Sequence, residues 1–192
     1  MKRFLMVVTA ILLAGGVQAA ELGDDGLHKA PWMRETFKDL SEDLEEAQAE
    51  GKRLLLMVEQ RGCSYCAKMH KEVYPDPDVT AMLQDTFFVV QLNLHGDIEV
   101  TDFDGEVMPE KDMIRKWGVM FTPTLMYIAE DVEEGQSAAQ AAVAMMPGAF
   151  AKGTTIDLMT WVAEKRYLLD GDEDFQRYHA RRVQERNDRS TD

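Results

Sequence analysis

Cysteine is scarce in this chain: Cys63 and Cys66 are the only two in 192 residues. A scaffold held by disulfides would carry more of them, at wider spacings. A bridge between residues this close in sequence closes a tiny loop, which stabilises little in the chain-entropy account. Basic residues are also in deficit, with 21 Lys and Arg against 35 Asp and Glu and a formal net charge of −14. That excludes the basic face needed to hold a phosphate backbone, so no nucleic-acid partner is expected. The four histidines, His28, His70, His95 and His179, are scattered. Zinc ordinarily takes four ligands, so neither a metal nor a cofactor is expected. Asp102, Asp104 and Glu106 lack the rest of a calcium loop and read as a solvated hairpin. No repeat, low-complexity segment or linker divides the chain, and 45% hydrophobic residues supply a core.

Long apolar runs are missing except at the start. Lys2 and Arg3 precede the apolar residues 4–16, and Val17-Gln18-Ala19 has small residues at the positions a signal peptidase requires. The run is short for a membrane span. A signal peptide over 1–19 is expected, cleaved after Ala19 with Ala20 as the alternative. No cysteine follows it to take a lipid. Residues 20–172 are then one domain and 173–192 a short helix (Phe175, Tyr178, Val183) and tail. An exported chain meets an oxidising compartment, expected to be the periplasm, where disulfides persist.

Periodicity outlines an α/β protein. After a polar lead over 20–31, Phe37, Leu40, Leu44 and Ala47 fall at helical spacing, ended by Gly51. RLLLMVE (53–59) is a continuous apolar run, as in a strand buried on both faces. A helix is expected over 64–73. Another starts at Asp76-Pro77, an N-cap followed by an N1 proline. TFFVVQLNL (86–94) is the second strand. Asp104-Gly105 marks a hairpin, and Pro109 opens a helix with Met113, Ile114 and Trp117. TLMYIA (124–129) and 141–146 are the last strands, paired antiparallel across EDVEEGQ. Thr154-x-x-Asp157 resembles a capping box, starting a helix with Ile156, Met159, Ala163 and Tyr167 on one face. Strands joined by helices give a sheet covered on both sides.

The chemistry concentrates in RGCSYCAKMH (61–70). With Cys63 just before a helix and Cys66 in its first turn, unpaired N–H groups and the helix dipole favour an anion at Cys63. The thiolate fraction rises, and Cys66 is placed to resolve a mixed disulfide. Arg61, Lys68 and Lys71 add positive potential or are simply solvated. A second feature is Phe121-Thr122-Pro123-Thr124, since proline before a strand belongs at its start or in a special turn.

CSYC after an apolar strand, TPT before TLMYI, and Gly148 ahead of the last long helix resemble the thioredoxin superfamily over roughly residues 36–169. The resemblance implies a thioredoxin fold: a mixed central sheet flanked by helices, with an N-terminal helix and a hairpin-like insertion before the cis-proline strand. It also implies that Pro123 is cis and that Thr122 offers its backbone to an extended substrate segment. Cys63 is then the nucleophile and Cys66 the resolving thiol, with Ser64 and Tyr65 shaping the site. LLLMVEQRGCSYCAKMHKEV, VTDFDGE, RKWGVMFTPTLMYI and FQRY are similar to SoxW-like periplasmic thioredoxins. These are secreted thiol–disulfide reductants, linked in some relatives to sulfur-compound oxidation. The expected partners are disulfide-bearing exported proteins and a membrane thiol electron donor, and the expected state is a monomer. The chain departs from the family where a buried aspartate would stand six residues before the first cysteine. Met57 is there, leaving Glu59 or water to handle the Cys66 proton. The alternatives are an oxidase or isomerase, or a thioredoxin-fold binding module with a closed disulfide.

Overall fold

The computed structural model describes residues 20–169 and 174–191, so the expected signal peptide and the 172/173 boundary lie outside it. A five-stranded sheet runs in the order β3 (Met33–Arg34), β5 (Phe87–Asn93), β4 (Arg53–Glu59), β8 (Thr124–Ile128), β9 (Ala142–Pro147). β3 and β4 pair parallel with β5, while β8 pairs antiparallel with both β4 and β9. This is the expected mixed sheet. β4 is hydrogen-bonded on both edges and covered on both faces, which explains its unbroken apolar sequence.

Alternation sorts these strands into two cores. Leu55, Met57, Val89, Leu125 and Tyr127 face one layer. In that layer lie α2 (Ser64–Lys68), its π-helical continuation (Met69–Val73), α3 (Pro77–Asp85) and α6 (Lys152–Ala163). Leu54, Leu56, Val58, Val90 and Met126 face the other, with α1 (Leu40–Ala49), α4 (Glu110–Lys116) and the short α5 (Ala138–Ala141). α3 begins at the expected cap, with the Asp76 side chain accepting from the Asp78 N–H.

Five expectations change, the last of them in the acidic hairpin. The lead is not featureless: β1 (Glu21–Leu22) and β2 (His28–Lys29) form a hairpin, and Leu27 and Trp32 are buried. Phe37 is 95% exposed and precedes the helix, because Asp39 is the N-cap and accepts from the Ser41 and Glu42 N–H groups. Thr154 is no cap either; α6 starts at Lys152, and Asp157 is fully buried inside it. The C-terminal segment is a 17-residue helix, α7 (Phe175–Thr191), with Tyr178 buried in the first core.

The hairpin of β6 (Glu99–Thr101) and β7 (Val107–Pro109) is present, but Asp102 is not solvated. Its carboxylate accepts from the Ala138 N–H at 2.7 Å, Trp117 Nε1 at 2.8 Å and Lys116 Nζ at 2.9 Å. Burial disfavours the Lys116 charge, yet hydrogen bonds to Asp104, Glu106 and Asp102 outweigh it and hold the ammonium well above its ordinary range. Lysine is thus the cation this acidic hairpin holds. Among the described residues no helix is long and apolar enough to cross a membrane.

Asp43 on α1 gives a stability test. Burial pushes its carboxyl up to about 6, against the hydrogen bond from Thr36 and with help from Asp39, Glu46 and Glu42. The folded form binds the proton more tightly than the unfolded chain does. Its ionisation therefore costs stability as pH rises from about 4 to about 6, by up to ~3 kcal/mol. Asp43→Asn should raise the urea midpoint at neutral pH and flatten that slope.

Candidate active site

β4 ends at Glu59 and delivers the chain to Gly62, whose φ of +74° turns it into α2. A side chain at that φ would be strained, so glycine fits the position. Cys63 is the N-cap of α2, and its Sγ accepts from the Cys66 N–H at 2.9 Å. Cys63 and Cys66 form a disulfide, with Cα atoms 5.2 Å apart. Cys66 is wholly buried whereas Cys63 retains 7% exposure, so the outer sulfur is the one a partner reaches. Oxidised, Cys63 has no proton to give. Reduced, its thiolate would sit at unpaired helix N–H groups, which lower thiol pKa.

The second wall comes from the loop before β8. The Thr122–Pro123 peptide is cis. Thr122 Oγ1 lies 3.3 Å from Cys63 Sγ and can donate to it, and the Thr122 carbonyl oxygen is 3.5 Å away. The family resemblance implied a role for the Thr122 backbone; the hydroxyl's approach to sulfur is additional. The Gly148 N–H donates to the Pro123 carbonyl at 2.6 Å from a residue at φ +94°. That contact ties the end of β9 to the proline loop. Ser64 and Tyr65 are exposed on the first turn of α2, Tyr65 at 63%, with Phe121 exposed beside Thr122. Arg61, Lys68 and Lys71 are all exposed. Met146 is buried in the core, whereas Met145 beside it is exposed.

A cleft of about 560 Å³ opens at Cys63, lined also by Leu22, Gly26, His28, Arg61 and Ser64. The N-terminal hairpin is therefore one side of the site. Nothing in its polar sequence announced this.

Beneath α2 lies a polar cage that the scattered histidines did not suggest. Glu59 is fully buried. It pairs with His70 Nε2 at 3.0 Å and accepts from Gln91 Nε2 at 2.7 Å. Lys29 Nζ donates to Gln91 Oε1, and Gln91 also donates to the His28 carbonyl. The His28 ring stacks on His70 with centroids 4.5 Å apart, and Tyr74 meets His70 edge-on at 4.9 Å. Burial, and then the neighbouring His70, hold the His28 pKa below its ordinary value. Gln91 was the available signal, a lone amide in the apolar run FFVVQLN. Met57 fills the position of the family aspartate and is wholly apolar core.

A family model described as Thioredoxin-like domain matches residues 40–149. Among solved structures, a thioredoxin-fold protein from Helicobacter pylori is 16% identical with a TM-score of 0.55, covering 69% of this chain and 85% of that one. A thioredoxin from Thermus thermophilus is 20% identical with a TM-score of 0.51, covering 66% of this chain and 85% of that one. At these identities the likeness is one of fold. No curated protein matches the sequence.

Proposed function

The chain belongs to the thioredoxin-like domain family, and from that premise we propose that it is an exported thiol–disulfide oxidoreductase that reduces disulfides in other exported proteins. One observation carries the reading: the Cys63–Cys66 disulfide sits at the head of α2, with its outer sulfur in a cleft and against Thr122. Fold and Cys-x-x-Cys pair together support thiol–disulfide chemistry in general terms. The finer assignment rests on further supports. Export rests on the basic, apolar and small-residue pattern of residues 1–19. The reducing direction rests on the sequence resemblance to SoxW-like secreted reductants.

In this proposal Cys63 attacks, Cys66 resolves, and Thr122 with Pro123 holds an extended substrate segment beside Ser64 and Tyr65. The Cys63–substrate sulfur bond forms as the substrate disulfide breaks, and one substrate thiolate leaves. Cys66 sulfur then attacks Cys63, releasing the second thiolate. Two electrons pass to the substrate and the site ends oxidised. In an oxidising compartment the dithiol must be restored by a thiol donor, for which a membrane transporter of reducing equivalents is the proposed source. The protein works as a monomer.

The test is the equilibrium potential of the Cys63–Cys66 pair in a thiol–disulfide buffer series. A value near ~−270 mV, as in thioredoxin, is expected, whereas one near ~−120 mV would make the protein a disulfide donor. No exchange at all would leave only a binding module on this fold.

A further inference from the structure

We propose that His28, Glu59 and His70 form a binding site for a divalent transition-metal cation such as Zn2+, set in the wall of the cleft that holds Cys63. One ligand atom from each residue lies within 4.8 Å of the other two. Ligands sharing a zinc at ~2.0–2.2 Å stand only a little over 3 Å apart. His70 Nε2 and Glu59 Oε1, at 3.0 Å, already meet that spacing. Two imidazoles and a carboxylate are a donor set for zinc and its neighbours in the transition series, not for magnesium or calcium, which prefer all-oxygen shells.

One feature separates this cage from an ordinary buried ion pair. Among the described residues no lysine or arginine bonds to the Glu59 carboxylate directly; its partners are His70 and Gln91. Lys29 reaches it only through Gln91, and the other titratable groups around it are His28, His70 and Tyr74. Gln91 meanwhile orients the carboxylate from behind, as outer partners do for metal ligands.

His28 is the movable member. Stacked rings tilted by only 12° hold their lone pairs in nearly parallel planes, so His28 must turn to reach a cation shared with His70. Neither of its ring nitrogens makes a hydrogen bond among the described residues, and it is half-buried on a two-residue strand. It also lines the cleft, which gives a cation a path from solvent.

The experiment is a Zn2+ titration by calorimetry on the untagged, disulfide-bonded chain, whose sulfurs cannot ligate. One Zn2+ per chain is expected, undisturbed by excess Mg2+. His28→Ala should lower the affinity by more than the ~10–100-fold cost of losing an outer partner. This half-exposed position tests the site even where His70→Ala fails to fold. Absence of saturable uptake, or uptake unchanged in His28→Ala, overturns the site and assigns any binding to surface carboxylates. The readout does not depend on thiol exchange, so it stands or falls separately from the proposed activity.

Discussion

Replacing Cys63 with serine is expected to abolish disulfide exchange, while Cys66→Ser should keep the first half of the reaction and stop there. The asymmetry follows from where α2 puts each sulfur. Cys63 is the N-cap, with 7% exposure, the Cys66 N–H aimed at its Sγ and the Thr122 hydroxyl 3.3 Å away. All these groups stabilise a thiolate at the cleft. Cys66 is one turn along and fully buried, so a partner's disulfide cannot approach it directly. In Cys66→Ser the Cys63 thiolate can still open a substrate disulfide, but nothing displaces the product. Mixed disulfides should accumulate as bands that vanish on reduction in non-reducing gels of an exported-protein fraction. In Cys63→Ser no such bands should form, and turnover of a model disulfide should fall to background. Exchange surviving in Cys63→Ser, or trapping through Cys66, would reverse the assigned roles.

Much of the architecture was legible because burial writes itself into sequence where an element is central. RLLLMVE is flanked by two strands and two layers, and its boundaries as an apolar run, 53–59, are those of β4. Asp76-Pro77 and Asp104-Gly105 carry local chemistry that needs no tertiary context. The losses share a cause too. β1, β2 and β3 have two residues each, too few for any period to emerge. Their order comes from burying Leu27 and Trp32 and, for β3, from pairing with β5, which are long-range events. Phe37 sat at helical spacing by coincidence; the Asp39 cap decided the start. The cage of His28, Glu59 and His70 draws on three separate segments, so only the lone Gln91 hinted that the strand beside it faced something polar.

Asp157 should prove the residue on which the C-terminal helix depends. On α6 it is fully buried, yet it meets three basic side chains of α7. Arg186 binds both carboxylate oxygens at 2.8 Å, His179 Nδ1 is 2.6 Å from Oδ2, and Arg182 Nε is 3.6 Å from Oδ1. Residues 179, 182 and 186 fall on one helical face, so a single anion can hold all three. Burial alone would raise the Asp157 pKa, but Arg186 and His179 outweigh it and keep it below its ordinary 3.8. The group therefore adds stability above that value, and the contribution fades as pH falls below it. Asp157→Ala removes the shared acceptor. Because the arginines are about one-third exposed, they recover some hydration, and the cost should sit at or below the ~3–5 kcal/mol of breaking a wholly buried pair. Hydrogen exchange should then accelerate along α7 while β4 and β5 stay protected, and the Cys63–Cys66 potential should not move. Phe175 against Trp161 and the buried Tyr178 also hold the helix. If exchange in α7 is unchanged in the variant, those apolar contacts suffice and the ionic latch is dispensable.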